Sequence, residues 1–158
     1  MDLWNERQCS MDELIPLIQE QLAKGKKVRF SPRGVSMLPM LRQGKDCVEL
    51  KLLIGSPKKY DILLYRGAQG NYILHRVVSV GNSLSCMGDH QFVKEEGIRQ
   101  EQIIGVVSGF YRGERYRSIE CLDYWLYCRF WYHSRALRHF LLRGGGFLRR
   151  TLNKKSRF

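Results

Sequence analysis

At 158 residues and 44% hydrophobic content the chain has the length and apolar content for one packed domain, which excludes a disordered segment. The net charge of +12 is uneven: residues 1–120 hold 18 Lys/Arg against 14 Asp/Glu, and residues 121–158 hold 9 against 1, so any anionic partner is drawn to the last quarter. Five cysteines (Cys9, Cys47, Cys86, Cys121, Cys128) without Cys-x-x-Cys spacing argue against a disulfide framework and a zinc knuckle; a reducing cytoplasm is the expected setting, with no metal or cofactor.

Ser10-Met11-Asp12-Glu13 has capping-box spacing and predicts a helix carrying Leu14, Leu17, Ile18, Gln21 and Leu22 at helical intervals until Gly25. The period then changes to alternation. Strands are predicted at 27–30, 46–50, 60–65, 72–80, 83–87 and 102–111, with Gly81-Asn82 as a tight hairpin turn. Asp46 and Asp61, at strand starts, read as turn-setting residues. Residues 122–143 are rich in Trp, Tyr, Phe, Leu and Arg and predict a second helix, with Leu126, Tyr127, Phe130, Leu137, Phe140 and Leu141 on one side. Gly144-Gly145-Gly146 ends it, and a basic tail comes after. The expectation is a mainly β domain over 26–120, an N-terminal helix over 1–25 packed on it, and a basic aromatic helix and tail over 121–158.

The first 30 residues contain Asp2, Glu6, Asp12, Glu13 and Glu20 and no apolar run of signal-peptide length. No segment approaches the roughly 20 apolar residues of a membrane-spanning helix. The C-terminal segment has three readings. It packs across the sheet with a solvated arginine face; it lies on an anionic membrane, where each Lys/Arg is worth about 1 kcal/mol; or it holds single-stranded nucleic acid, which is not expected because no nucleic-acid module is recognisable.

The chemistry-bearing stretch is Gly34-Val35-Ser36-Met37-Leu38-Pro39. Gly34 permits a tight bend before Ser36, and Pro39 disfavours helix at Leu38. A serine becomes a nucleophile when a base takes its proton. His75, beside Ile73 and Leu74 in a strand, is the base candidate, because burial keeps an imidazole neutral at pH 7. Asp89, in Met87-Gly88-Asp89-His90, is the carboxylate that would orient the ring.

Five landmarks stand in order between residues 27 and 112: Ser36-Met37-Leu38-Pro39, Tyr60-Asp61-Ile62-Leu63-Leu64-Tyr65, His75-Arg76, Gly88-Asp89, and Ile104-Gly105-Val106-Val107. In this the chain resembles the superfamily of type I signal peptidases and LexA-like self-cleaving repressors. The resemblance implies that superfamily's coiled β-sheet domain and a serine endopeptidase with Ser36 as nucleophile. His75 stands where bacterial signal peptidases and the repressors carry lysine; histidine is typical of the archaeal, sporulation and endoplasmic-reticulum branch. Asp89 matches the acidic residue of the Gly-Asp box, with His90-Gln91 in place of the usual following Asn.

Gly34 is the repressor-like choice where signal peptidases place a hydroxyl, and it leaves main-chain N–H groups such as that of Ser36 to bind the oxyanion. Family substrates lie extended between two strands. By analogy the peptide would be held by Phe30, Ser31, Pro32, Arg33, Gly34 and Met37 on one side and Tyr72, Ile73 and Leu74 on the other, with a small residue before the cleaved bond. These 158 residues contain neither the transmembrane anchor of a signal peptidase nor the helix-turn-helix of a repressor. The expected protein is therefore a stand-alone catalytic core, cytoplasmic or peripheral on the cytoplasmic membrane face, cleaving a leader peptide or a membrane-proximal protein. A non-catalytic peptide- or membrane-binding adaptor on the same fold is the alternative.

Overall fold

The computed structural model describes residues 10–134. Two compact units divide the chain, Met1–Glu120 and Cys121–Phe158.

In the first unit, helix α1 (Met11–Ala23) opens with the reciprocal capping box, Glu13 N donating to Ser10 Oγ at 3.3 Å and Ser10 N to Glu13 Oε2 at 3.1 Å. Its buried stripe is Ile15, Ile18 and Leu22, whereas Leu17, expected on the apolar side, is exposed. Burial has i, i+3, i+7 spacing, which selects one narrow face and leaves a residue at i+2 outside it. Gly105 makes room for this helix: a Cβ there would lie 3.0 Å from Leu22 Cδ1.

The rest of this unit is eight antiparallel strands: β1 (Val28–Phe30), β2 (Asp46–Lys51), β3 (Ile62–Arg66), β4 (Tyr72–Ser79), β5 (Leu84–Met87), β6 (Glu95–Ile98), β7 (Ile103–Arg112) and β8 (Arg115–Ser118). Their order is β1-β2-β7-β3-β4-β5-β6, with β8 paired to β7. Strand β3 is buried at Ile62, Leu63, Leu64 and Tyr65, so both of its faces are covered. One face carries a core of Leu63, Tyr65, Val77, Cys86, Ile98 and Val106. The polar edge strands β6 and β8 lie outside the predicted set, because Glu95-Glu96-Gly97-Ile98 and Arg115-Tyr116-Arg117-Ser118 lack the apolar alternation that marks a half-buried strand.

Helix α2 (Leu122–His133) makes up the described part of the second unit. Its expected continuation to Arg143, with Leu137, Phe140, Leu141 and the basic tail, lies outside the described residues. Of the side expected to be apolar, Leu126 and Phe130 are exposed, and the buried residues of the helix are Tyr124 and Cys128. No helix among the described residues is long and apolar enough to cross a membrane.

Candidate active site

The segment that carries Ser36 joins β1 to β2 and is anchored by residues on the C-terminal side of the serine. Met37, Met40 and Leu41 are buried. Asp46, fully buried at the start of β2, accepts from Arg42 N at 2.9 Å and from Arg42 Nε and Nη2 at 3.1 and 3.0 Å. Arg112 Nη2 donates to the Met40 carbonyl at 2.9 Å. The bend sits at Gly34, whose φ of +91° is in the left-handed region and whose N–H donates to Gln43 Oε1 at 2.9 Å. Anchored apolar residues on one side and a glycine bend on the other keep Ser36 half-exposed at the surface. Among the described residues the Ser36 N–H donates to no acceptor, which leaves it available to an incoming oxygen.

Strand parity then sorts the polar groups. Residues alternate faces along a strand, and the register pairs Leu63 with His75, Tyr65 with Ile73, Val77 with Cys86 and Cys86 with Glu95. Tyr65, His75 and Glu95 therefore share the face of the buried core. His75 Nδ1 lies 3.0 Å from Glu95 Oε1. Tyr65 OH donates to Glu95 Oε2 at 3.0 Å and lies 3.5 Å from His75 Nδ1. A carboxylate on Nδ1 selects the tautomer with its proton there and leaves the Nε2 lone pair as acceptor. Burial holds the His75 pKa below the usual histidine value, and the nearby Glu95 carboxylate partly opposes that shift. Burial, reinforced by Cys86 and Glu95, pushes the Tyr65 phenol upward, so it remains a donor.

Arg76 and Asp89 occupy the opposite face. Arg76 Nε donates to Asp89 Oδ1 at 2.8 Å and Nη2 to Asp89 Oδ2 at 2.7 Å, a buried bidentate pair. Arg76 Nη2 also lies 2.8 Å from Met40 Sδ, and Nη1 donates to the Tyr60 carbonyl at 3.3 Å. This corrects the expectation for Asp89: both carboxylate oxygens engage Arg76, and the acid that holds His75 is Glu95. The cause is parity, since Arg76 and His75 are adjacent on β4 and must point to opposite sides.

The Gly-Asp turn brings serine and histidine together. His90 N donates to the Ser36 carbonyl at 2.8 Å. A Cβ on Gly88 would lie 2.7 Å from that carbonyl and 3.0 Å from His75 Nε2, so the Ser36 main chain and the acceptor nitrogen of His75 crowd the same glycine. Only a residue without a side chain allows that approach. No direct hydrogen bond joins Ser36 Oγ to His75 among the described residues.

A cavity of about 250 Å³ opens beside this junction. Pro32, Arg33, Gly34, Ser36 and Met37 line it from one segment and Tyr72, Ile73, Leu74 and His75 from another; Leu41, Gln43, Asn71, Gln91 and Glu95 complete it. Phe30 and Ser31 are not part of the lining. Phe30 is paired to Val48 within β1 and β2, and Ser31 Oγ donates to the Asp46 carbonyl at 3.3 Å.

The Tyr72–His75 wall of the cavity is a strand edge that no strand pairs among the described residues. Val77 N donates to the Asp61 carbonyl at 2.8 Å and Tyr60 N to the Val77 carbonyl at 2.9 Å. By alternation Ile73 and His75 also turn their main-chain groups toward β3, and Tyr72 and Leu74 turn theirs the other way. On that side β5 pairs back only to Met87 opposite Arg76 before the chain turns at Gly88. The main-chain groups of Tyr72 and Leu74 are thus open to an extended chain in the cavity.

Glu95 is the residue that sequence reasoning missed. Lys94-Glu95-Glu96 reads as a solvated charge run, and its only local signal is that it comes within a few residues of the Gly-Asp turn. Comparison with protein-family models, curated proteins and solved structures found no match.

Proposed function

We propose that the chain is a serine endopeptidase of the type I signal peptidase/LexA-like superfamily, acting through Ser36, His75 and Glu95. The observation that carries this reading is the convergence of the Ser36 main chain and His75 Nε2 on Gly88 beside an open strand edge. An extended peptide adds to the Tyr72 and Leu74 edge by main-chain hydrogen bonds. Ser36 Oγ attacks the scissile carbonyl as Nε2 takes its proton, and the imidazolium, paired with Glu95, returns that proton to the leaving amine. The free N–H of Ser36 donates to the oxyanion. Water then attacks the acyl carbon as His75 removes its proton, and the acyl–Ser36 bond breaks as His75 returns that proton to Ser36 Oγ, releasing the carboxylic acid product. The missing Ser36–His75 hydrogen bond agrees with an unliganded site, in which such contacts are commonly long. A leader peptide or a membrane-proximal protein on the cytoplasmic side is the substrate class this reading favours.

Purified Ser36→Ala and His75→Ala proteins are expected to keep their circular dichroism spectra and to lose peptide cleavage and labelling by a fluorophosphonate probe. Cleavage retained by Ser36→Ala removes the proposal. The unjoined Ser36 and His75 favour one second reading, a peptide-binding adaptor that uses the same strand edge. Tight peptide binding without Ser36-dependent labelling selects it.

A further inference from the structure

The outward side of α2 is apolar. Leu122 and Phe130 are each 70% exposed, Leu126 52% and Trp125 46%. At 100° per residue these four fall within one arc of about 140°, whereas the buried Tyr124 and Cys128 lie on the opposite side. Arg129 and the exposed His133 also fall inside this arc, the Arg129 guanidinium 5.2 Å from the Trp125 ring centroid. An apolar row of this size facing water marks an interaction surface. The composition of the segment points to the occupant: residues 121–158 carry 9 Lys/Arg and a single acid, Asp123. An aromatic and aliphatic ridge on a segment this rich in Lys/Arg along the sequence suits the headgroup–acyl boundary of an anionic bilayer, where tryptophan and arginine both find partners. A second copy would instead bring together two segments that each carry 9 Lys/Arg against one acid.

We infer that the Leu122–Trp125–Leu126–Phe130 face of α2 docks this protein on an anionic lipid surface. The proposal stands apart from the peptidase reading, and its readout requires no catalytic activity. The test is flotation of the full chain with vesicles of phosphatidylcholine alone or containing 30% phosphatidylglycerol. The variants are Leu126→Glu/Phe130→Glu and, in parallel, the milder Leu126→Ser/Phe130→Ser, each checked by circular dichroism. Wild-type protein is expected to float with the anionic vesicles only, to be released by salt, and to show blue-shifted tryptophan emission when bound. Both variants are expected to lose at least tenfold in affinity. Three results would overturn the inference: variants that float as well as wild type, a wild-type dimer that these substitutions convert to monomer, or a single-stranded oligonucleotide bound through the same residues in preference to vesicles.

Discussion

Glu95 and Asp89 are two carboxylates a few residues apart with different duties, and the difference is testable. Glu95 holds the Nδ1 side of His75 and also raises the His75 pKa against the effect of burial. Glu95→Gln removes both influences. Its kcat is expected to fall by about 10²- to 10⁴-fold, the range for losing the group that sets the tautomer of a general base. Its acid limb of kcat/KM moves to lower pH, because the group that favoured the imidazolium is gone. A pH–rate profile of both proteins checks this; an unchanged rate assigns the ring's orientation elsewhere. Ser36 and His75 were legible as residues because a serine beside a glycine bend and a histidine in an apolar strand are local patterns. Glu95 was not, because its place beside the imidazole depends on the pairing of β6 with β5.

At the scale of elements, the Arg76–Asp89 pair ties three segments together. Arg76 comes from β4, Asp89 from the Gly-Asp turn, and Met40, in contact with Arg76, from the loop after Ser36. Asp89→Ala leaves a buried guanidinium without its carboxylate, which costs about 3–5 kcal/mol where a buried pair is broken. The expected result is a denaturation midpoint lowered accordingly, with activity falling because the Ser36 loop loses one anchor. Replacing both partners, as in Arg76→Met/Asp89→Leu, is expected to recover much of the stability, since no charge is then stranded. Equilibrium urea unfolding of the single and double variants separates these outcomes. The central strands were readable from alternation, whereas β6 and β8 were hidden by their polar composition. For α2, periodicity finds an apolar side but not whether it is covered, and the structure leaves Leu126 and Phe130 exposed while burying Tyr124 and Cys128.

For the whole molecule, the buried neutral imidazole links stability to pH. His75 titrates lower in the folded chain than its ordinary value of about 6.5, so the unfolded chain binds more protons as acid is added. Its contribution is complete above pH 6.5 and is lost as pH falls from there through the folded value. His75→Asn is expected to flatten that part of the stability curve, read as urea midpoints between pH 5 and 8; a slope unchanged from wild type refutes it. A separate loss sets in at lower pH. Although burial works against them, hydrogen bonds from Arg42 to Asp46, and from Lys27 and Ser108 to Glu49, hold those carboxyls below the usual range. By itself the sequence determined the mainly β class, the capped first helix, the serine bend and the histidine strand, because each is written in residues close together along the chain. Only the tertiary structure decided which acid faces the histidine, that the edge of β4 stays open beside it, and that α2 turns its apolar side to solvent. Those features arise from strand register, from where a partner strand stops, and from which helix face is covered, and each joins residues distant in the chain.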